Sequence, residues 1–345
     1  MRLKKKSEAG YMAIRNSVAF SIDNRIHCIR FSGERALDAL DAICPCDIFL
    51  QEGQMKHTLL LNENGVPFAD IYVGREGYNA YILGYLTDNI DLTGWIKNHT
   101  EDIGGFTIQD IMHSHTCINL EGPYAWELGT EVFGSDILGL PYLGMMEMDA
   151  LIVFRAGRTG EYGFHFFVPS DDKEKWMSKI RSFREAFQIS EANEEALDQC
   201  ALENFFFDIS KEGVNELNPM ELQLQWRISS QKTTYPGAKE IIKHKKEGVS
   251  RRMVSFISPS DLNLNASITH DGEVIGKVLV IGYSPSRGDY VGKALLNKPY
   301  WHAGLDSMQV DDTSIQTISA PAIDNISLKI SPYSNSFITR KKDLS

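Results

Sequence analysis

The sequence predicts an α+β chain that closes with a β-rich domain, and three observations carry that prediction. Before Met253, strand-like and helix-like apolar periods succeed one another. After it, only short apolar runs between turn signals remain, as in "GEVIGKVLVIGYSPSRGDYVGKALL" and "SIQTISAPAIDNISLKI", the texture of a small barrel or sandwich. Finally, 345 residues exceed what one ordinary core organises. A boundary near Glu247-Gly248 gives domains over 1–247 and 248–345.

The elements follow in order. "SVAFSIDNRIHCIRFSGERALDALDAI" reads as a strand, a turn at Ser32-Gly33 and a helix, with Ala36, Leu37, Leu40 and Ile43 on a helical period. "HTLLLNENGVPFADIYVG" reads as a hairpin turned at Asn64-Gly65. "YNAYILGY" is the next strand, and "TDNIDLTGWIKNH" a helix capped by Thr87 or Asp88. "TCINLEGPYAWELGTEVF" gives a strand, a Gly122-Pro123 turn and a short helix. "LIVFRAG" and "GFHFFVP" are strands, and "SDDKEKWMSKIRSFREAF" is an amphipathic helix with Ser170 as its cap. The opening "MRLKKKSEAG" reads as a frayed basic tail, with no signal-peptide core behind it.

Composition narrows the function. A formal net charge of -11 argues against general nucleic-acid binding, and no apolar run approaches a membrane span. Five cysteines at irregular spacing fit reduced cytosolic thiols better than a disulfide framework. Cys44-Pro-Cys46 is not C-x-x-C, and His113 and His115 have no obvious further ligands, so no metal is expected. The basic run from Lys239 to Arg252 reads as a solvated helix end and loop.

"RAGRTGEYGFHFF", from Arg155 to Phe167, sets Gly157, Gly160 and Gly163 around one acidic residue, Glu161. By itself this is a glycine-rich hairpin with an exposed glutamate, although a structural turn favours Asn, Asp or Ser. Its context changes that reading. "LLLNENGVPFADIYV", "INLEGPYAWEL", "RAGRTGEYGFHFFV", "NPMELQLQW…TYPGAKEI" and the barrel segment from Gly272 stand in one order. This order resembles the aminomethyltransferase family, the glycine-cleavage T-protein and its folate-binding relatives, over nearly the whole chain from Ser17 to Leu328. The family pattern runs N-E-x-G-x-x-x-D-D-L-x-V, Q-G-P-x-A, R-T-G-Y-T-G-E-D-G-F-E, a Trp-containing segment and a terminal barrel.

The resemblance implies a three-lobed cloverleaf, two α+β lobes and a C-terminal β-barrel around a channel for tetrahydrofolate or a one-carbon-substituted form. Glu161 matches the motif glutamate that faces the pterin, whose paired donors an ionised carboxylate can receive; Gly160 leaves the ring room. Asp70 matches the second aspartate of the D-D pair, the catalytic position, and Ala69 replaces the first. Trp226 and Tyr235 match aromatic positions that either wall the folate or pack in the core. Phe206 or Phe207 falls where the family has a folate-binding arginine, and Ile326-Ser327 where it has a tyrosine. Thr234 stands at the cysteine of a non-catalytic branch, K-G-C-Y-x-G-Q-E, which excludes a thiol-dependent role there. The expected function is a cytoplasmic, tetrahydrofolate-dependent one-carbon transferase acting on a small molecule. The alternatives are a folate-binding scaffold without turnover and a true T-protein partnered with a lipoyl-carrier protein.

Overall fold

The computed structural model describes residues 5–343. Its strands, in chain order, are β1 (Ala19–Ile22), β2 (His27–Ser32), β3 (Met55–Leu61), β4 (Pro67–Glu76), β5 (Asn79–Leu86), β6 (Thr107–Asp110), β7 (His115–Glu121), β8 (Gly144–Met148), β9 (Leu151–Arg155), β10 (Gly163–Pro169), β11 (Ser190–Glu191), β12 (Arg251–Ser258), β13 (Ser267–His270), β14 (Glu273–Ser284), β15 (Asp289–Asn297), β16 (Met308–Val310) and β17 (Thr313–Ile318). They make a five-stranded sheet ordered β3-β4-β5-β2-β6, a six-stranded sheet ordered β11-β1-β7-β10-β9-β8, and a closed barrel ordered β12-β15-β14-β13-β16-β17. These are two α+β lobes and a β-barrel, as the sequence predicts.

The chain starts in the second lobe with β1, builds the first lobe from β2 to β6, and returns with β7. The single strand expected over this opening stretch is therefore two strands in different sheets. The break comes at Asp23, whose Oδ1 accepts the Arg25 N–H at 2.9 Å in an Asx turn.

The β3–β4 hairpin sets the site. Asn62 Oδ1 accepts the N–H groups of Asn64 and Val66, both at 3.0 Å, and Gly65 takes φ +73°. Side chains then alternate across the sheet. Leu60, Ala69, Ile71, Val73 and Ile82 pack under the helices Ala36–Ile43 and Leu92–His99. Tyr72 and Leu83 belong to the other face, which meets Met145, Ile152, Phe154 and Phe167 of the second lobe. Burying Phe154 and Phe167 completely stabilises the lobe contact by roughly 1.5–3 kcal/mol each. Met55 N–H donates to the Leu143 carbonyl at 2.8 Å and Met145 N–H to the Gly53 carbonyl at 2.9 Å, stitching the two lobes together.

Three local expectations are corrected. Lys5–Asn16 is a helix, not a frayed tail; Tyr11 and Ile14 are fully buried, and it packs against the helix Glu194–Glu203. Met1 to Lys4 lie outside the described residues. The helix Leu92–His99 is capped by Asp91, which accepts the Gly94 N–H at 2.9 Å, and not by Thr87 or Asp88. Ser170 does not cap Lys173–Ser182; its N–H instead goes to the Ser114 carbonyl at 2.9 Å.

Beyond Ile318 the chain leaves the barrel and runs back onto the second lobe. There Glu127 caps the helix Phe337–Asp343, accepting from Ser336 Oγ at 2.5 Å and Phe337 N–H at 2.7 Å. Among the described residues no helix is long and apolar enough to cross a membrane.

Candidate active site where the lobes meet

Asp70 sits mid-β4, opposite Leu59 on β3 and Tyr85 on β5. Its Oδ1 is shared. His57 Nε2 lies 2.7 Å away, and Arg227 Nη1 donates to the same oxygen. Arg227 arrives on a single turn, Gln225–Arg227, pinned where Thr58 Oγ1 donates to the Arg227 carbonyl at 3.0 Å. Asp70 Oδ2 accepts from no protein group among the described residues. Burial pushes the Asp70 carboxyl up, but Arg227 and His57 outweigh it and hold the group below the usual carboxylate range. Burial lowers the imidazole of His57, which Asp70 counters and Arg227 reinforces, so the ring is neutral at pH 7.

Aromatic rings enclose this centre. Tyr72 stacks on His57 at 4.1 Å between centroids, and Trp226 meets the imidazole edge-on at 5.9 Å. The Arg227 guanidinium lies 4.9 Å from the Trp226 ring. Trp226 is 64% exposed, so it does not fill the core, the other role expected of it.

The second lobe contributes a carboxyl of opposite character. Glu121, at the end of β7 opposite Gly163, is 3% exposed and accepts from Thr159 Oγ1 at 2.7 Å. A Cβ on Gly163 would come within 2.8 Å of Glu121 Oε2 and 2.7 Å of Gly157 Cα, so that close approach requires glycine. Burial drives the Glu121 carboxyl up to about 8, against the Thr159 hydrogen bond and the charges of Arg158 and Arg15. Because its folded pKa is raised, its contribution to stability is complete below about pH 4.5 and disappears as pH rises towards 8. Glu121→Gln should remove that dependence and stabilise the protein at pH 8 by up to about 4–5 kcal/mol. Urea unfolding at pH 5 and pH 8 measures it; equal effects at both would show that Glu121 is not buried as a neutral acid.

Glu161 is not the free carboxylate the glycine turn suggests. Its Oε1 accepts the Ile326 N–H at 3.1 Å, and its Oε2 accepts the Ser327 N–H at 2.8 Å and Oγ–H at 2.6 Å. Arg15 Nη1 lies 3.5 Å away, and the side chain is fully buried. The donors expected from a pterin are supplied by the chain's own C-terminal segment, at the position where the family tyrosine is missing. Gly160 takes φ +81°, and a Cβ there would lie 2.3 Å from Asn204 Oδ1, so this glycine allows packing against Asn204. Glu161→Gln would set an amide NH2 against these donors and should cost about 1.5–3 kcal/mol of stability by denaturant titration. An unchanged midpoint would show that the latch contributes nothing.

Tyr235 belongs to the apolar cluster of Leu59, Leu61 and Ile241, makes none of the Asp70 hydrogen bonds, and its hydroxyl has no protein partner among the described residues. Gly237, φ +80°, fits back-to-back against Gly65; a Cβ would lie 2.9 Å from Gly65 Cα. Phe207 fills the same apolar cluster. The guanidinium beside Glu161 comes from Arg15, which also pairs with Glu203 at 2.5 Å.

A family model described as the GCVT N-terminal domain matches residues 2–232. The chain belongs to the GCVT family. Among curated relatives, the aminomethyltransferase of Thermotoga neapolitana is 24% identical over 295 residues, covering 83% of this chain and 80% of that one. That of Flavobacterium psychrophilum is 26% identical over 274 residues, covering 75% and 74%. Among solved structures, glycine cleavage system aminomethyltransferase T from Bartonella henselae superposes with a TM-score of 0.80 at 18% identity, covering 92% and 90%. That likeness concerns the fold. Within the GCVT pattern, Glu121 stands at the Gln of Q-G-P and Arg158 at the Tyr of R-T-G-Y-T-G-E. Three residues that organise this GCVT site escaped the motif reading. His57 lies just outside the hairpin motif, Arg227 was passed over for its neighbour Trp226, and Arg15 follows a segment read as a tail. The available signals were a histidine two residues before Leu59 on the Asp70 face and an arginine beside the motif tryptophan.

Proposed function

We propose that this protein is a tetrahydrofolate-dependent one-carbon transferase, moving a methyl, methylene or aminomethyl group between a small molecule and the reduced pterin, with Asp70 at the reacting centre. The observation that carries this reading is the state of Asp70: ionised, fixed through one oxygen by Arg227 and His57, and open at the other beside Trp226. When bound, tetrahydrofolate supplies the nitrogens that accept or release the one-carbon unit. The chain's part is to position and stabilise. Asp70 Oδ2 would accept a ring N–H and stabilise positive charge that develops nearby, and Trp226 would hold the ring's plane. Arg227 keeps Asp70 charged in a site that would otherwise neutralise it. Glu161 is left out of ligand binding and serves as a latch.

A transfer screen tests this. Protein and tetrahydrofolate are incubated with candidate methyl and aminomethyl donors, and methyl- and methylene-folates are followed by mass. Thermal shift gives binding alone: tetrahydrofolate at a hundredfold excess over its dissociation constant should stabilise by roughly 2.7 kcal/mol. No shift at millimolar ligand would sink the folate reading. Binding without transfer would favour the scaffold, and transfer only with a lipoylated carrier protein would favour the T-protein.

A further inference from the structure

His57 is placed as a catalytic base is placed. Its Nε2 points to Asp70 Oδ1 at 2.7 Å, and because Asp70 is ionised, that nitrogen carries the proton. Nδ1 is then the basic atom. It has no protein partner among the described residues and is not one of the buried, unpartnered atoms, so it opens towards solvent. The ring is also held still. Tyr72, its direct cross-strand partner, stacks on one side, and Trp226 closes an edge. The charged and titratable groups facing it are Asp70 and Tyr72 from β4 and Arg227 from the Gln225–Arg227 turn. An imidazole serving only to anchor Asp70 would need neither the free Nδ1 nor neutrality.

We propose that His57 is the proton acceptor of the transfer and that Asp70 fixes its tautomer; this rests on the one-carbon transferase reading above. His57 takes on Nδ1 the proton displaced from the folate nitrogen as the new carbon–nitrogen bond forms. The electron pair of the broken carbon–heteroatom bond stays on the donor's heteroatom, and the imidazolium returns the proton there. One bond to carbon is made and one broken, the proton moves from nitrogen to leaving group, and no oxidant or reductant is needed. Rate should therefore fall as pH drops through the depressed pKa of His57, while Asp70 stays ionised.

The test has three readouts. Nitrogen-15 NMR of the ligand-free wild type should show His57 as the Nε2–H tautomer, neutral at pH 7; an Nδ1–H tautomer would overturn the proposal without any assay or variant. H57Q keeps a donor for Asp70 but has no basic nitrogen. Its tetrahydrofolate dissociation constant should stay within about threefold, while kcat falls about 10²-fold and the acid limb of the pH profile disappears. Unchanged kcat and pH profile in H57Q, with wild-type transfer intact, would overturn the role of His57 alone. Wild-type protein that binds no tetrahydrofolate, or binds it and transfers from no screened donor, would overturn the underlying reading and this proposal with it.

Discussion

Asp70→Asn should lower one-carbon turnover by about 10²–10³ while tetrahydrofolate affinity stays within a few-fold, the loss expected when a positioned charge is removed from a reacting centre. The substitution keeps the shape of the side chain and removes its charge. It also weakens the hold on the His57 tautomer, because an amide oxygen accepts the Nε2–H less strongly than a carboxylate. No neighbouring carboxylate can take over on β4: residue 69, the position of the family's other aspartate, points by strand alternation into the helix-packed core, where Ala69 is fully buried. The two aspartates of the family pattern would therefore project to opposite faces here, and Ala69 leaves the site intact. Steady-state kinetics beside calorimetry decides the matter. Turnover that survives would remove Asp70 from the chemistry, and joint loss of turnover and binding would make it a binding or folding residue.

Arg227→Met should destabilise the protein by about 3–5 kcal/mol at pH 7, because Asp70 would keep a buried charge with no cationic partner. The two side chains are 3% and 13% exposed, so solvent screens the pair little. In the wild type the folded pKa of Asp70 lies below its unfolded value. Its contribution is thus present above the unfolded pKa and fades as pH falls through the folded one. Without Arg227, burial dominates and the folded pKa rises above the unfolded value, reversing the sign. The stability gap between wild type and variant should be widest at neutral pH and narrow towards pH 4. Urea titrations at both pH values measure it; a gap independent of pH would show that Arg227 acts through packing.

What the sequence disclosed and what it hid divide along the range of the interactions. Asn64-Gly65 announces its hairpin, and the hairpin fixes which face Asp70 occupies, because turn chemistry and strand alternation are local. The succession of short strands after Met253 likewise announces a barrel. Local patterning was silent about what comes from far along the chain. Arg227 reaches Asp70 across 157 positions, and Ser327 reaches Glu161 across 166. Arg15 lies on the buried face of its helix, but that face mixes Ser7, Gly10 and Ala13 with the larger Tyr11 and Ile14, so its helical period is faint behind the preceding lysines. The glycine turn was read from its spacing, yet what its glycines accommodate, Glu121 and Asn204, is set by neighbouring elements.

The return of the C-terminal segment to Glu161 gives this chain a direction in time. Arg15 and Glu161 are both made well before the Ile326 and Ser327 groups that donate to Glu161. Until those groups emerge, the second lobe must either stay open or close over a carboxylate with too few donors. A nascent chain normally gains from folding one domain while the next is being made. Here that gain is delayed for the lobe that holds β1, because translation arrested in the barrel leaves it without the donors of Ile326 and Ser327. Protection of nascent second-lobe segments from protease should therefore appear only once the chain has emerged through Ser327.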